Sequence, residues 1–113
     1  MFVITGRIKV PSYSEAAKKF ETGLAPILKR TPGFRGCYSI DAGDGVGVGI
    51  VAFETQEDAE RSRDEITAWV EKNIAPQYQA EPDTVAGEVV LTIMPDIPPT
   101  QPGAATGPEA VIH

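Results

Sequence analysis

Apolar and polar residues alternate along the first stretch of the chain. Phe2, Ile4, Ile8 and Val10 fall on one side, and Val3, Thr5, Arg7 and Lys9 on the other. That period of two predicts a strand over Phe2 to Val10 with one apolar and one mixed face. Pro11 ends it. Ser12, with Glu15 three residues on, has the spacing of a capping box, and Ala17, Phe20, Leu24, Ile27 and Leu28 then form a helical stripe. Gly23 weakens this helix and Pro26 removes one of its backbone bonds, so a kink or break is expected near Leu24. Thr31-Pro32-Gly33 stops it.

Phe34 to Ala42 reads as a second strand, with Phe34, Gly36, Tyr38 and Ile40 on one side. Asp44-Gly45 is a two-residue hairpin signal, and Val46 to Glu54 returns as a third strand. On that strand Gly45, Gly47 and Gly49 share one face, while Val46, Val48, Ile50 and Ala52 share the other. A strand without side chains along one face admits a close neighbour: a helix, a second subunit or a ligand. Thr55 and Asp58 repeat the capping pattern, and a second helix runs to about Ile74 on the stripe Ala59, Ile66, Trp69, Val70 and Ile74. Glu57, Arg61 and Glu65 add pairs at spacing four on its wet side. After Pro76 and a turn around Glu81 to Asp83, Thr84 to Met94 reads as a fourth strand.

Strand, helix, strand, strand, helix, strand is the split βαβ arrangement. It predicts an α+β, ferredoxin-like βαββαβ domain over residues 1–94, a four-stranded antiparallel sheet with both helices on one face. The other face, expected to carry Thr5, Cys37, Val51 or their neighbours, is too apolar to leave in water. Pairing two such faces covers it, so a homodimer through the open sheet face is expected. The stretch 95–113, with Pro95, Pro98, Pro99, Pro102 and Pro108 and no periodicity, reads as a proline-rich C-terminal tail.

Composition changes this picture little. A chain of 113 residues, 42% hydrophobic and 23% charged, is of single-domain size and ordinary for a globular protein. The formal charge of -6 argues against nucleic acid as a partner. Apolar runs such as Ile50 to Phe53 are too short to span a membrane. A lone Cys37 fits a reducing compartment, and with no signal-peptide pattern at the start the expected location is cytoplasmic.

The usual catalytic motifs are absent. Gly43-Asp44-Gly45-Val46-Gly47-Val48-Gly49 lacks the Lys-Ser/Thr ending of a phosphate loop and falls in a hairpin. The one histidine, His113, is the last residue, so neither a His-based triad nor a zinc site is expected in the core. Cys37 has no histidine to activate it and reads as an inert buried thiol. Aromatic residues and an arginine remain. Trp69 is either the largest core side chain or one wall of a flat pocket shared with Phe20, Tyr38 and Asn73, with Tyr78 following the helix. The missing side chains at Gly6, Gly36 and Gly49 would make room for that pocket. Arg7 either meets an anionic or phenolic ligand there or serves a cross-strand or subunit ion pair.

The Phe2-to-Arg7 strand, the turn Thr31-Pro32-Gly33-Phe34-Arg35-Gly36, the strand ending Val51-Ala52-Phe53-Glu54 and the helix carrying Ala68-Trp69-Val70 together resemble the antibiotic-biosynthesis-monooxygenase family. That family belongs to the dimeric α/β-barrel superfamily, and the likeness covers nearly all of residues 1 to 94. It implies a pocket under the helices for a planar aromatic, in some members oxidised by dioxygen without metal or flavin. On that resemblance Trp69, Asn73 and Arg7 are the candidate catalytic residues, Phe20, Tyr38 and Tyr78 the candidate substrate-binding residues, and no cofactor is expected. The haem-degrading branch fits less well: where it has an asparagine and a histidine ligand, this chain has Gly6 and, near the second place, Gln79. Two readings follow, a cofactor-independent monooxygenase acting on a polyphenolic or other planar aromatic substrate, and a non-catalytic dimeric ligand-binding or stress-related domain.

Overall fold

The first strand follows its alternation. In a computed structural model that describes residues 1–96, β1 runs Phe2–Lys9 and sits inside a four-stranded sheet of order β2-β3-β1-β4. The other strands are β2 (Phe34–Gly43), β3 (Val46–Phe53) and β4 (Asp83–Glu88), and every neighbouring pair is antiparallel. Between them lie α1 (Tyr13–Lys19), a π turn (Phe20–Leu24), α2 (Ala25–Lys29) and the long α3 (Gln56–Asn73), which a short 3-10 turn (Ala75–Gln77) carries toward β4. This is the expected ferredoxin-like α+β arrangement, with the first helix delivered in two pieces. The tail expected over 95–113 lies, from residue 97 on, outside the described residues.

Local chemistry explains the element ends. Ser12 Oγ accepts from the Glu15 amide at 3.4 Å and Thr55 Oγ1 from the Asp58 amide at 3.1 Å, each satisfying an orphan donor of a first turn. The Glu15 carboxylate turns to Lys18 Nζ at 3.8 Å instead of back to Ser12. The break near Leu24 takes the form of a π turn in which the Ala25 amide reaches the Phe20 carbonyl. Pro26 lacks an N–H and its ring crowds the carbonyl four residues earlier, so widening the helix by one residue relieves both. The hairpin turns on Asp44 (φ 56°) and Gly45 (φ 79°), two successive positive values that favour Asp-Gly.

The core forms two buried clusters between helices and sheet. Val10, Tyr13, Ala16 and Ile74 make one; Leu24, Leu28, Phe53 and Ala59 make the other. Phe20 and Trp69 touch both, with their rings 5.8 Å apart. Two glycines let the layers close. A Cβ on Gly23 would fall 2.5 Å from Trp69 Cζ2, and one on Gly47 would fall 2.0 Å from Tyr13 Cε1. The close neighbour expected at Gly47 is thus the first helix of the same chain.

Two strands depart from expectation. In β2 the register shifts between Phe34 and Gly36, a bulge at Arg35. The extra residue transfers Cys37 and Ser39 to the helix side and turns Tyr38 and Ile40 to the open side, where Tyr38 is 73% exposed. Val51, expected on the open face, also looks toward the helices, because it pairs with Ile4 and Cys37 while Thr5 pairs with Ile50 and Val85. The fourth strand spans Asp83–Glu88 and not Thr84 to Met94. Its ladder with β1 ends at Phe2↔Glu88, and the Val89 amide makes the last cross-link, to the Met1 carbonyl at 2.9 Å.

Candidate functional site

Two glycines on facing strands empty the middle of the sheet. Gly6 of β1 pairs with Gly49 of β3, and a Cβ at either would meet nothing within 4 Å; Gly36 of β2 also borders the space but pairs with Ala52, an open-face position. Above this bare patch lies a cavity of about 800 Å³ between the helices and the sheet. Ile4, Ile8, Phe34 and Val51 edge its floor, and Phe20, Leu24, Leu28, Ile66 and Val70 form its roof. A largely apolar slot of this size suits a flat polycyclic molecule.

The polar groups inside are few and uncharged. The Tyr13 and Ser39 hydroxyls stand 2.5 Å apart on the cavity wall, and Cys37, Tyr78 and Thr84 also face it. Burial pushes the Tyr13 phenol up from its ordinary pKa; the hydrogen bond with Ser39 opposes this in part, and the negative charge available on Cys37 and Asp41 adds to it. Burial likewise raises the Cys37 thiol and the Tyr78 phenol. All three therefore hold their protons at neutral pH. The ionised side chains on the lining, Glu21, Lys29 and Glu71, occupy solvent-exposed helix positions. Among the described residues no group of three His, Cys, Asp or Glu is placed to hold a metal ion.

The six residues singled out from the sequence do not converge. Phe20 and Tyr78 line the cavity. Trp69 does not: its indole fills the seam between α3 and the π turn, over Gly23 and against Phe20. Asn73 donates from Nδ2 to the Trp69 carbonyl at 2.9 Å, a bond within its own helix, and is likewise off the lining. Tyr38 is on the open face because of the bulge at Arg35. Arg7 is exposed and pairs in register with Val48 and Asp83, an odd-numbered β1 position on the side opposite the cavity residues Ile4, Gly6 and Ile8. Gln79 is exposed and bonds the Lys9 carbonyl through its amide at 2.8 Å.

Cys37 is also corrected, from a thiol sealed in the core to one that lines the cavity and remains accessible. Tyr13 and Ser39 were not anticipated. The signal for Tyr13 was present in Gly47, a side-chain-free strand position that a ring covers, but nothing in the sequence named the ring.

The four-stranded antiparallel sheet with its helices on one face is the fold of the antibiotic biosynthesis monooxygenase structures. Among solved structures the chain is similar to SnoaB, a cofactor-independent oxygenase from Streptomyces nogalater (TM-score 0.68, 14% identity, 81% of this chain and 95% of that one). It is similar as well to the monooxygenase from the gene ActVA-Orf6 of Streptomyces coelicolor, in complex with nanaomycin D (TM-score 0.67, 20% identity, 83% and 91%). A third likeness is to the haem degrader MhuD of Mycobacterium tuberculosis, with two haems in its active site (TM-score 0.64, 22% identity, 83% and 100%). No family model and no curated protein matches the chain. No helix of the described residues is long and apolar enough to cross a membrane.

Proposed function

We propose that this domain binds a planar polycyclic aromatic in the helix–sheet cavity and acts on it as a cofactor-independent monooxygenase. The observation that carries the reading is the glycine-bared floor beneath a slot of about 800 Å³, with aromatic and aliphatic walls. Two solved structures of this fold are oxygenases, one of them in complex with nanaomycin D. Phe20 and Tyr78 are the contact residues for the ring system. Trp69 and Asn73 act on the site from outside it, Trp69 by holding Phe20 against the cavity and Asn73 by its bond to the Trp69 carbonyl. The domain works as a homodimer in the cytoplasm; the exposed apolar residues Tyr38, Ile40 and Val85 support the pairing and the lone cysteine supports the location.

A second reading, a ligand-binding domain without turnover, is favoured by one feature. Among the described residues the interior offers no ionised group to serve as a general base, since Tyr13, Cys37 and Tyr78 all stay protonated. Dioxygen uptake by the purified protein with dihydroxy-aromatic and anthrone-like compounds, run alongside equilibrium binding, separates the two. Saturable uptake establishes the oxygenase. Binding with flat oxygen traces establishes the carrier.

A further inference from the structure

We propose that the cavity takes its aromatic ligand in the uncharged form and seats one of the ligand's oxygens on the Tyr13–Ser39 hydroxyl pair. This rests on the reading above that the cavity holds a flat aromatic, whether or not that molecule is turned over.

The case for an uncharged ligand is the charge inventory of the walls. From β1 and β3 the cavity receives Ile4, Gly6, Ile8, Gly49 and Val51, and from β4 it receives Thr84, none of which carries charge. From β2 come Cys37 and Ser39, with Asp41 near enough to act on Tyr13. The helical side supplies Tyr13, Glu21, Lys29 and Glu71, and Tyr78 follows it. Lys29 is thus the single cation on the lining among the described residues, set against two carboxylates there and a third nearby. The guanidinium of Arg7, which an anionic ligand would need, is on the other side of the sheet. An anion entering this slot would lose water and find no cation inside to replace it, while the exposed charges at the margin sum to net negative.

Polar recognition then falls to neutral hydroxyls, and one site is built for it. Tyr13 is 4% exposed, its ring is fixed against Gly47, and its oxygen is held 2.5 Å from Ser39 Oγ. Two hydroxyls that share one hydrogen bond keep one further O–H free, along with unused lone pairs. The pair can therefore donate to a ligand carbonyl or accept from a ligand hydroxyl.

Three probes of one skeleton test the proposal on the full chain: 9,10-anthraquinone, anthraquinone-2-sulfonate and anthracene, followed by quenching of Trp69 fluorescence. The quinone is expected to bind at least about tenfold tighter than its permanently anionic sulfonate, a difference of about 1.4 kcal/mol. Tyr13→Phe, which keeps the ring, and Ser39→Ala, at an exposed position, should each weaken the quinone about two- to tenfold, the range of one neutral hydrogen bond. Anthracene should be unaffected by either. Equal affinity for quinone and sulfonate would overturn the preference for an uncharged ligand. Unchanged quinone binding in both variants would overturn the hydroxyl seat. Binding of none of the three would overturn the aromatic-cavity reading itself.

Discussion

The indole of Trp69 lies where the side chain of any other residue at position 23 would begin. Replacing Gly23 by Ala should gain about 1 kcal/mol of helix propensity and lose about 1–3 kcal/mol to overpacking. The indole is large and pinned against Phe20, so the steric effect prevails, and a net loss of up to about 2 kcal/mol is expected in urea denaturation. In a Trp69→Phe background the same substitution should be nearly neutral, because the clashing edge is gone. The protonated groups of the cavity give a second expectation. Cys37, Tyr13 and Tyr78 bind their protons more tightly in the folded than in the unfolded chain. Their contribution to stability is therefore complete below the ordinary thiol and phenol values, about 8.5 and 10, and is lost as pH rises through the folded ones. Thermal unfolding followed from pH 7 upward should show stability falling only in the alkaline range, and alkylation of Cys37 by iodoacetamide should have a midpoint above that of a free thiol.

At the scale of elements, the glycines of the sheet are separable by what faces them. Gly47 is closed by Tyr13, whereas Gly49, one pleat along on the same face, opens into empty space. Gly49→Val should fold as well as the parent or better, since a β-branched residue suits a strand, and should abolish aromatic binding by filling the slot. Calorimetric Tm and a binding titration on the same sample check both halves. Much of this layer was readable beforehand: both caps, the Asp44-Gly45 hairpin, the break near Leu24 and the room left by Gly6 and Gly49 are all local chemistry. What escaped was relational. One bulged residue at Arg35 exchanged the faces of Tyr38 and Cys37, and alternation cannot reveal a bulge before the partner strand is known. Trp69 and Asn73 lie on the inward stripe of α3, but a stripe does not say whether it meets a cavity or the neighbouring helix turn. The last residues assigned to β4 have strand character but, among the described residues, no strand beside them.

For the whole molecule, the open sheet face and the residues after β4 dominate. Tyr38, Ile40 and Val85 project from that face, and Val90 (93% exposed), Leu91, Ile93 and Met94 follow the end of the sheet. A surface this apolar predicts a dimer by light scattering at micromolar concentration, converted to monomer by Ile40→Arg combined with Val85→Arg. A monomeric parent protein would contradict the homodimer. Within the chain the division of the core into two clusters, joined by little more than Phe20 and Trp69, has its own consequence. On the reading proposed above, a molecule entering the slot would supply the middle of the hydrophobic interior and tie together two clusters that otherwise share mainly Phe20 and Trp69. Ligand at 100 times its Kd would raise stability by about 2.7 kcal/mol. It would also sharpen the melting transition, so a thermal screen of planar compounds can find the natural occupant before any reaction is known.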